Sequence, residues 1–373
     1  MIQLICEPKI HKFDSCGEFI EAFKPDENDL MIVNPSVYEP YFEKYGLKTK
    51  VISPNKYGRG EPTDVMAEAI MKDMGDKTYK RIFAVGGGTV IDLAKVFSVR
   101  SDGRVDPIYD AMPNLERRSE LIVVPTTCGT GSEVTNIAIL TRTKLGTKMG
   151  IVSPAIYPAH AVLIPELLEN LPLEVFATSS FDALTHAVES CLSPNATPFT
   201  RLFAYKAIEI LVEGFKEIAK EGNTPESRKK QTESFLIASC FAGLSFGTAG
   251  CAAVHAMAYP LGGIYHVPHG ESNYALLTGV LKNYYEMNQS GEIAVLNSYL
   301  AKLLNCEEEK AYDELEKVLN VVLPKKPLHE YGVKETELRD FAESVIKNQT
   351  RLMKNSFVPL DTEKVLKIYK ELY

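Results

Sequence analysis

The chain has 373 residues, a formal net charge of −8, 45% hydrophobic and 24% charged residues, enough for about two ordinary globular domains. The acidic balance leaves no electrostatic footprint for nucleic acid or an anionic membrane surface, so the expected partner is a small molecule. Seven scattered cysteines without a Cys-x-x-Cys pair, no apolar run of the ~18 residues a membrane helix needs, and an amino terminus interrupted by Glu7-Pro8-Lys9 point to a soluble, cytoplasmic protein with reduced thiols.

In chain order, the first half alternates short apolar runs with helical stretches. Leu30–Asn34, Lys50–Ser53, Arg81–Gly86 and Leu121–Pro125 are rich in Ile and Val and closed by turn residues, as strands buried on both faces of a parallel sheet are. Asp64–Met74 and Thr89–Val99 read as helices between them. Thr135–Thr141 and Met149–Ser153, around the polar turn Arg142–Lys148, read as a hairpin on that sheet. After Leu171-Pro172-Leu173 the period changes. Ala177–Cys191, Phe199–Lys220, Gln231–Gly243, Ile293–Leu304, Glu308–Val322, Glu335–Met353 and Thr362–Leu372 all follow helical spacing. The expected organisation is an α/β domain over 1–172 and an all-helical domain over 173–373.

Two polar loops follow strands of the predicted sheet. Gly86-Gly87-Gly88-Thr89 runs from a strand into a helix; glycine permits positive φ there and removes the Cβ atoms that keep a pyrophosphate from the backbone. It is not a Gly-x-Gly-x-x-Gly fingerprint, and alone it reads equally as a tight turn. Pro125-Thr126-Thr127-Cys128-Gly129-Thr130-Gly131-Ser132-Glu133 places hydroxyls and glycines at the carboxyl end of another strand, where open α/β sheets bind ligands. Two such loops on one sheet point to a dinucleotide.

The helical half offers a ligand set for one divalent cation. Asp182 and His186 are i and i+4, so a helix would present both from one face; His255 and His269 follow, 14 positions apart. One carboxylate and three imidazoles leave room for a substrate oxygen, unlike a closed structural site. Singly, each has a plainer reading: a helix-surface pair, a core histidine, a helix cap. Together with both loops, the set reads as a metal site.

These stretches together resemble the iron-containing (group III) alcohol dehydrogenase family, through Gly86-Gly87-Gly88-Thr89-x-x-Asp92, Pro125-Thr126-Thr127-x-Gly129-Thr130-x-Ser132-Glu133, Asp182-Ala183-x-x-His186 and His255-x13-His269-Gly270. The resemblance spans nearly the whole chain. It implies an amino-terminal dinucleotide-binding α/β domain and a carboxy-terminal all-α metal-binding domain, the fold shared with dehydroquinate synthase, with cofactor and metal in the cleft between. It implies Asp182, His186, His255 and His269 as ligands of one divalent ion, Fe²⁺ or Zn²⁺. It also implies Gly86, Gly87, Gly88 and Thr89 at the pyrophosphate and Thr126, Thr127, Thr130 and Lys148 around the nicotinamide half. Asp92 and Ser132 fall in the same cofactor motifs. Family members commonly dimerise or assemble further, so a homo-oligomer is expected.

Several positions depart from the family pattern. Asn34 ends the first predicted strand where many members have an aspartate, and Glu61 replaces an asparagine; a carboxylate at Glu61 would accept ribose hydroxyls and repel a 2′-phosphate, so NAD is expected over NADP. Tyr259 stands where histidine is frequent, which leaves Tyr259 or a water chain ending at His266 as proton donor. Cys128, Tyr259 and the ending Arg351-Leu352-Met353-x-Asn355 most resemble members that interconvert 4-hydroxybutyrate and succinic semialdehyde by reversible hydride transfer. Arg351 then either grips the substrate carboxylate or is a surface arginine. Phe246 is an apolar wall of the site or plain core. Another short-chain alcohol or diol as substrate, a lyase like dehydroquinate synthase, and a cofactor-free metal hydrolase remain as alternatives.

Overall fold

The structure, a computed structural model, describes residues 2–75 and 77–373. By contacts the chain divides into two compact units, Cys6–Leu171, and Pro172–Tyr373 together with the short segment up to Ile5.

The first unit contains strands β1 (Lys9–Lys12), β2 (Leu30–Val33), β3 (Lys50–Ile52), β4 (Arg81–Gly86), β5 (Glu120–Pro125), β6 (Ile137–Arg142), β7 (Thr147–Val152) and β8 (His160–Leu163). Six of them form a sheet in the order β1-β8-β5-β4-β2-β3, parallel at every pairing. Helices α1 (Cys16–Phe23), α2 (Pro35–Tyr41), α3 (Asp64–Met74), α4 (Gly88–Phe97) and α5 (Asp106–Asp110) belong to the same unit. Leu30–Val33 and Leu121–Val124 are wholly buried, which is why these strands are unbroken aliphatic runs rather than alternating ones. The chain leaves β2 toward β3 on one side and β4 toward β5 on the other. The reversal puts the topological switch point, where such sheets hold ligands, between the carboxyl ends of β2 and β4, at Asn34 and Gly86.

Two expectations change here. The β6–β7 hairpin forms its own two-stranded antiparallel sheet instead of joining the large one. Both flanks of β5 are taken, by β4 and β8, so a hairpin following β5 has no edge beside it to extend. Strands β1 and β8 carried no sequence signal: Lys-Ile-His-Lys is a polar edge strand, and β8 is four residues long. Their histidines have a structural role, with His11 Nε2 and His160 Nδ1 2.8 Å apart.

The second unit is helical: α6 (Leu173–Leu192), α7 (Pro198–Glu221), α8 (Pro225–Lys229), α9 (Thr232–Ala249), α10 (Ala253–Tyr265), α11 (His269–Met287), α12 (Glu292–Leu304), α13 (Ala311–Val322), α14 (Leu338–Asn348), α15 (Thr350–Met353) and α16 (Thr362–Leu372). The predicted helix Glu335–Met353 is broken into a 3-10 turn (Glu335–Glu337), α14 and α15, with Gln349 at φ −108 and ψ 33 interrupting it. Helix α6 is the core element. Every residue from Ser180 to Leu192 is buried, so the polar side chains it carries must find partners within the unit. Among the described residues, no single helix is long and apolar enough to cross a membrane.

Candidate metal centre and nucleotide loops

In the α/β unit, β4 and β5 are neighbours in a register that pairs Gly86 with Pro125. The two polar loops therefore leave the sheet side by side. Helix α4 starts at Gly88 with no side-chain cap from Gly87, so its first N–H groups remain available to an anion. The glycines matter through close approach and not through unusual φ, since Gly87 has φ −78. A Cβ on Gly87 would lie 3.3 Å from Thr127 Cγ2, and one on Gly88 3.1 Å from Thr130 Cγ2. Thr89 Oγ1 donates to Gly60 O at 2.9 Å, and Thr126 N donates to Gly86 O at 3.1 Å. Cys128 is buried in this loop.

Asp92 and Ser132 brace the two loops. Ser132 Oγ donates to Asp92 Oδ1 at 3.0 Å, and the other Asp92 oxygen accepts from Ile139 N at 2.9 Å. Lys95, which sequence reasoning missed, completes the network: its fully buried Nζ donates to Ser132 Oγ (2.7 Å), Thr135 Oγ1 (3.2 Å) and Ile137 O (2.7 Å). These bonds lock the second loop to the helix that opens the first. Burial pushes the Lys95 ammonium down to about 8 from 10.5, although Asp92 and Glu133 pull the other way. Between those two values the folded state binds fewer protons than the unfolded chain, so this group adds stability as pH rises through the window and imposes its full penalty below it. Urea unfolding of wild type and Lys95→Met at pH 7.5 and pH 10 should therefore show wild type gaining relative to the variant at the higher pH. A pH-independent difference would mean that Lys95 is not a charged buried group.

Asn34 and Glu61 each have partners within the α/β unit. Asn34 Oδ1 accepts from Ser53 Oγ (2.9 Å) and Asn55 N (3.1 Å) at the end of β2. Glu61 forms an ion pair with Lys148 Nζ at 2.5 Å. From sequence, Glu61 is expected at the ribose hydroxyls and Lys148 at the nicotinamide half; in the structure the two side chains are paired with each other.

In the helical unit, Asp182, His186, His255 and His269 converge. Asp182 Oδ1 lies 4.0 Å from His186 Nε2, 3.7 Å from His255 Nε2 and 3.6 Å from His269 Nε2. The i, i+4 spacing on α6 supplies the first pair; α10 and α11 bring the others. A Cβ on Gly270 would sit 2.0 Å from the backbone oxygen of Thr178 and 3.3 Å from Asp182 Cβ. Only glycine lets α11 approach α6 closely enough to set His269 over Asp182. The His186 ring stacks on His255 (4.7 Å between centroids) and on Phe246 (4.2 Å), which makes Phe246 an apolar wall of the cluster. Burial alone would push the Asp182 carboxyl up, but the three imidazoles overcome this and hold it below its usual range.

The donor set fits a divalent cation. His255 Nε2 is buried and has no hydrogen-bond partner among the described residues, a costly arrangement unless that nitrogen faces an ion. One carboxylate and three imidazole nitrogens suit Fe²⁺ or Zn²⁺ equally.

Three buried neighbours of the quartet escaped the sequence. Asn273, one turn beyond His269, donates Nδ2 to Asp182 Oδ1 at 2.8 Å and lies 3.3 Å from His269 Nε2. Glu189 lies 2.6 Å from His255 Nδ1; its spacing of three from His186 and seven from Asp182 on α6 was the available signal. Burial would push the Cys251 thiol up, but His255 and His186 bring it down to about 7. The proposed catalytic residues sit farther out. Tyr259 is half-buried on α10, His266 is exposed at the C-cap of that helix with φ 55, and Arg351 is exposed on α15. Among the described residues, no hydrogen bond or ring contact joins His266 or Arg351 to the quartet.

Residues 10–165 match the model of the iron-containing alcohol dehydrogenases, and residues 176–373 match that of the Fe-containing alcohol dehydrogenase family, C-terminal. The chain belongs to the iron-containing alcohol dehydrogenase family. It is 46% identical over 367 residues to the 4-hydroxybutyrate dehydrogenase of Clostridium kluyveri, covering 98% of each chain. Among solved structures it is similar in fold to a 1,3-propanediol oxidoreductase (TM-score 0.84, 23% identity, 100% of both chains). It is similarly close to the sulfoacetaldehyde reductase of Bifidobacterium kashiwanohense in complex with NAD⁺ (TM-score 0.84, 21% identity, 100% of this chain and 99% of that one). The nucleotide loops fall within the first family segment and the quartet within the second.

Proposed function

We propose that the protein is a metal-dependent, NAD-linked dehydrogenase that interconverts 4-hydroxybutyrate and succinic semialdehyde. The observation that carries this reading is the convergence of one carboxylate oxygen and three imidazole nitrogens among the helices, with Asp182, His186 and His255 buried and His269 half-buried. The substrate follows from the whole-length similarity to the Clostridium kluyveri enzyme. In this reading residues 1–172 bind NAD, and residues 173–373 bind the metal and the substrate. The protein works in the cytoplasm as a homo-oligomer.

When bound, a divalent ion supplies Lewis acidity to a carbonyl oxygen, and NAD(H) supplies or accepts the hydride. Asp182, His186, His255 and His269 hold the ion. The N–H groups at Gly88 and Thr89 receive the pyrophosphate, while Thr126, Thr127 and Thr130 line the adjoining loop with Lys148 and Glu61 at its nicotinamide end. Phe246, stacked on His186, keeps water from one side of the ligands. Tyr259, one turn beyond His255 on α10, is the nearer proton donor; exposed His266 serves through water. Arg351 receives the substrate carboxylate. Its exposure favours a second reading, in which the substrate is a neutral short-chain alcohol and Arg351 stays in solvent.

A panel of aldehydes differing in length and terminal carboxylate, tested with NADH, separates these readings. Stoichiometric NADH oxidation with succinic semialdehyde as the best substrate is expected. Equal rates with neutral aldehydes favour the second reading, and absence of net oxidation would indicate a lyase or hydrolase. Cofactor choice is testable at Asn34. Asn34→Asp adds a negative charge beside the expected ribose position, so kcat/KM with NADPH should drop by about tenfold or more while NADH is little affected. An equal drop with both cofactors would move the adenosine ribose elsewhere.

A further inference from the structure

We infer that Glu189 is a positioning residue that selects the ligating nitrogen of His255. The inference rests on the reading of the quartet as a metal site and goes beyond it.

Glu189 is a buried side chain on α6, and each of its oxygens is already committed as an acceptor. Oε1 accepts from Val254 N at 2.5 Å, and Oε2 accepts from Ala252 N at 2.9 Å. These donors are the N-cap residue and the second residue of α10. A carboxylate from a distant helix thus does what a local Ser, Thr or Asp does at most helix starts, and it lies at the positive end of the α10 dipole. The same Oε2 lies 2.6 Å from His255 Nδ1. A group held as an acceptor by two backbone donors meets Nδ1 as an acceptor also, so Nδ1 must carry the hydrogen. In a neutral imidazole the lone pair is then on Nε2, the atom that is buried without a partner and 3.7 Å from Asp182 Oδ1. One carboxylate therefore fixes both where α10 begins and which nitrogen of its histidine points at the ion. This pairing of an acceptor behind a ligating histidine orients the ring and raises its basicity.

Cys251 and His255 could form a second ligand group with Glu189. Glu189 already accepts from Val254 N and Ala252 N and meets His255 at Nδ1, whereas Asp182 lies on the Nε2 side of the ring, so Glu189 acts behind the ligand and not as one.

The test uses Zn²⁺ as the probe. An amide at this position has one acceptor end and one donor end, whereas three donors face the native group. In Glu189→Gln, therefore, either α10 loses a cap bond or His255 is pushed toward the tautomer with hydrogen on Nε2. Zn²⁺ affinity, measured by chelator competition, should fall by about 10–100-fold. A loss of helix capping alone would also lower affinity, so the second readout is ¹⁵N NMR of histidine-labelled, Zn²⁺-loaded wild type. His255 should show Nδ1 protonated, with a downfield, slowly exchanging hydrogen, and Nε2 shifted by the metal. Because that measurement uses wild type, it decides the matter even if the variant fails to fold. Metal on Nδ1, or unchanged Zn²⁺ affinity in a folded Glu189→Gln, would overturn the inference while leaving the metal site intact. Failure of wild type to take up Zn²⁺ or Fe²⁺ would instead overturn the metal reading, and this inference with it.

Discussion

Asp182→Ala is expected to strip the protein of its metal and lower kcat/KM by on the order of 10³ or more, the several kcal/mol that Lewis-acid stabilisation of a developing alkoxide supplies. Asp182 is the sole carboxylate of the quartet, and one of its oxygens faces all three imidazole nitrogens. Without it the site keeps three imidazole donors, two of them buried, and loses the one formal negative charge in the quartet that offsets the cation. The variant also leaves the Asn273 amide without its acceptor, which costs about 1–3 kcal/mol of stability. Asp182→Asn separates these effects: it keeps an oxygen of the same size and loses only the charge. Metal content per chain, read by elemental analysis alongside NADH oxidation, checks the pair. Full metal occupancy and activity in Asp182→Ala would show that the quartet is not the working site.

Gly270→Ala is expected to produce the second large effect, through packing. The added Cβ would meet the backbone oxygen of Thr178 at 2.0 Å. A backbone atom within α6 has no rotamer to escape into. Either α11 moves away from α6 or the structure carries the clash, at a cost of about 3 kcal/mol. For a unit of this size that is a fall in Tm of roughly 6–12 °C. Since His269 and Gly270 are adjacent, displacement of α11 also pulls one ligand off Asp182, so metal affinity should fall with Tm. A variant that keeps its Tm and loses metal, or the reverse, would uncouple the helix contact from ligand placement.

Legibility from sequence followed burial and local signals. Strands β2, β4 and β5 were readable because a sheet covered on both faces demands aliphatic runs, as in Ile82-Phe83-Ala84-Val85 and Leu121-Ile122-Val123-Val124; β3, an exposed edge strand, was readable from its Val-Ile pair closed by Ser53-Pro54. Strand β1 was not, because an edge strand tolerates Lys and His. The hairpin β6–β7 was recognised, but its partner sheet was not; that depended on β8 filling the flank of β5. The pattern missed the short helices α1, α2, α5 and α8, and also α10 and α11, which carry two of the four proposed ligands. Helix α10 has no local cap, contains Pro260 and Gly262-Gly263, and is apolar on most faces. Its start is fixed by Glu189, 63 positions from Ala252. The quartet and the loops were visible because their residue types are unusual together. Glu189, Asn273 and Lys95 were not, because each acts through contacts made only after the helices have packed. The close pair Glu61–Lys148 likewise forms only in the fold, since 87 positions separate the two residues in sequence.

The most direct measurement is anomalous diffraction at the iron and zinc absorption edges from crystals of metal-loaded protein grown with NAD⁺. The account predicts one peak within coordination distance of Asp182 and the Nε2 atoms of His186, His255 and His269, with the pyrophosphate against Gly87 and Gly88. A metal elsewhere, or an empty quartet in a fully active crystal, would contradict it.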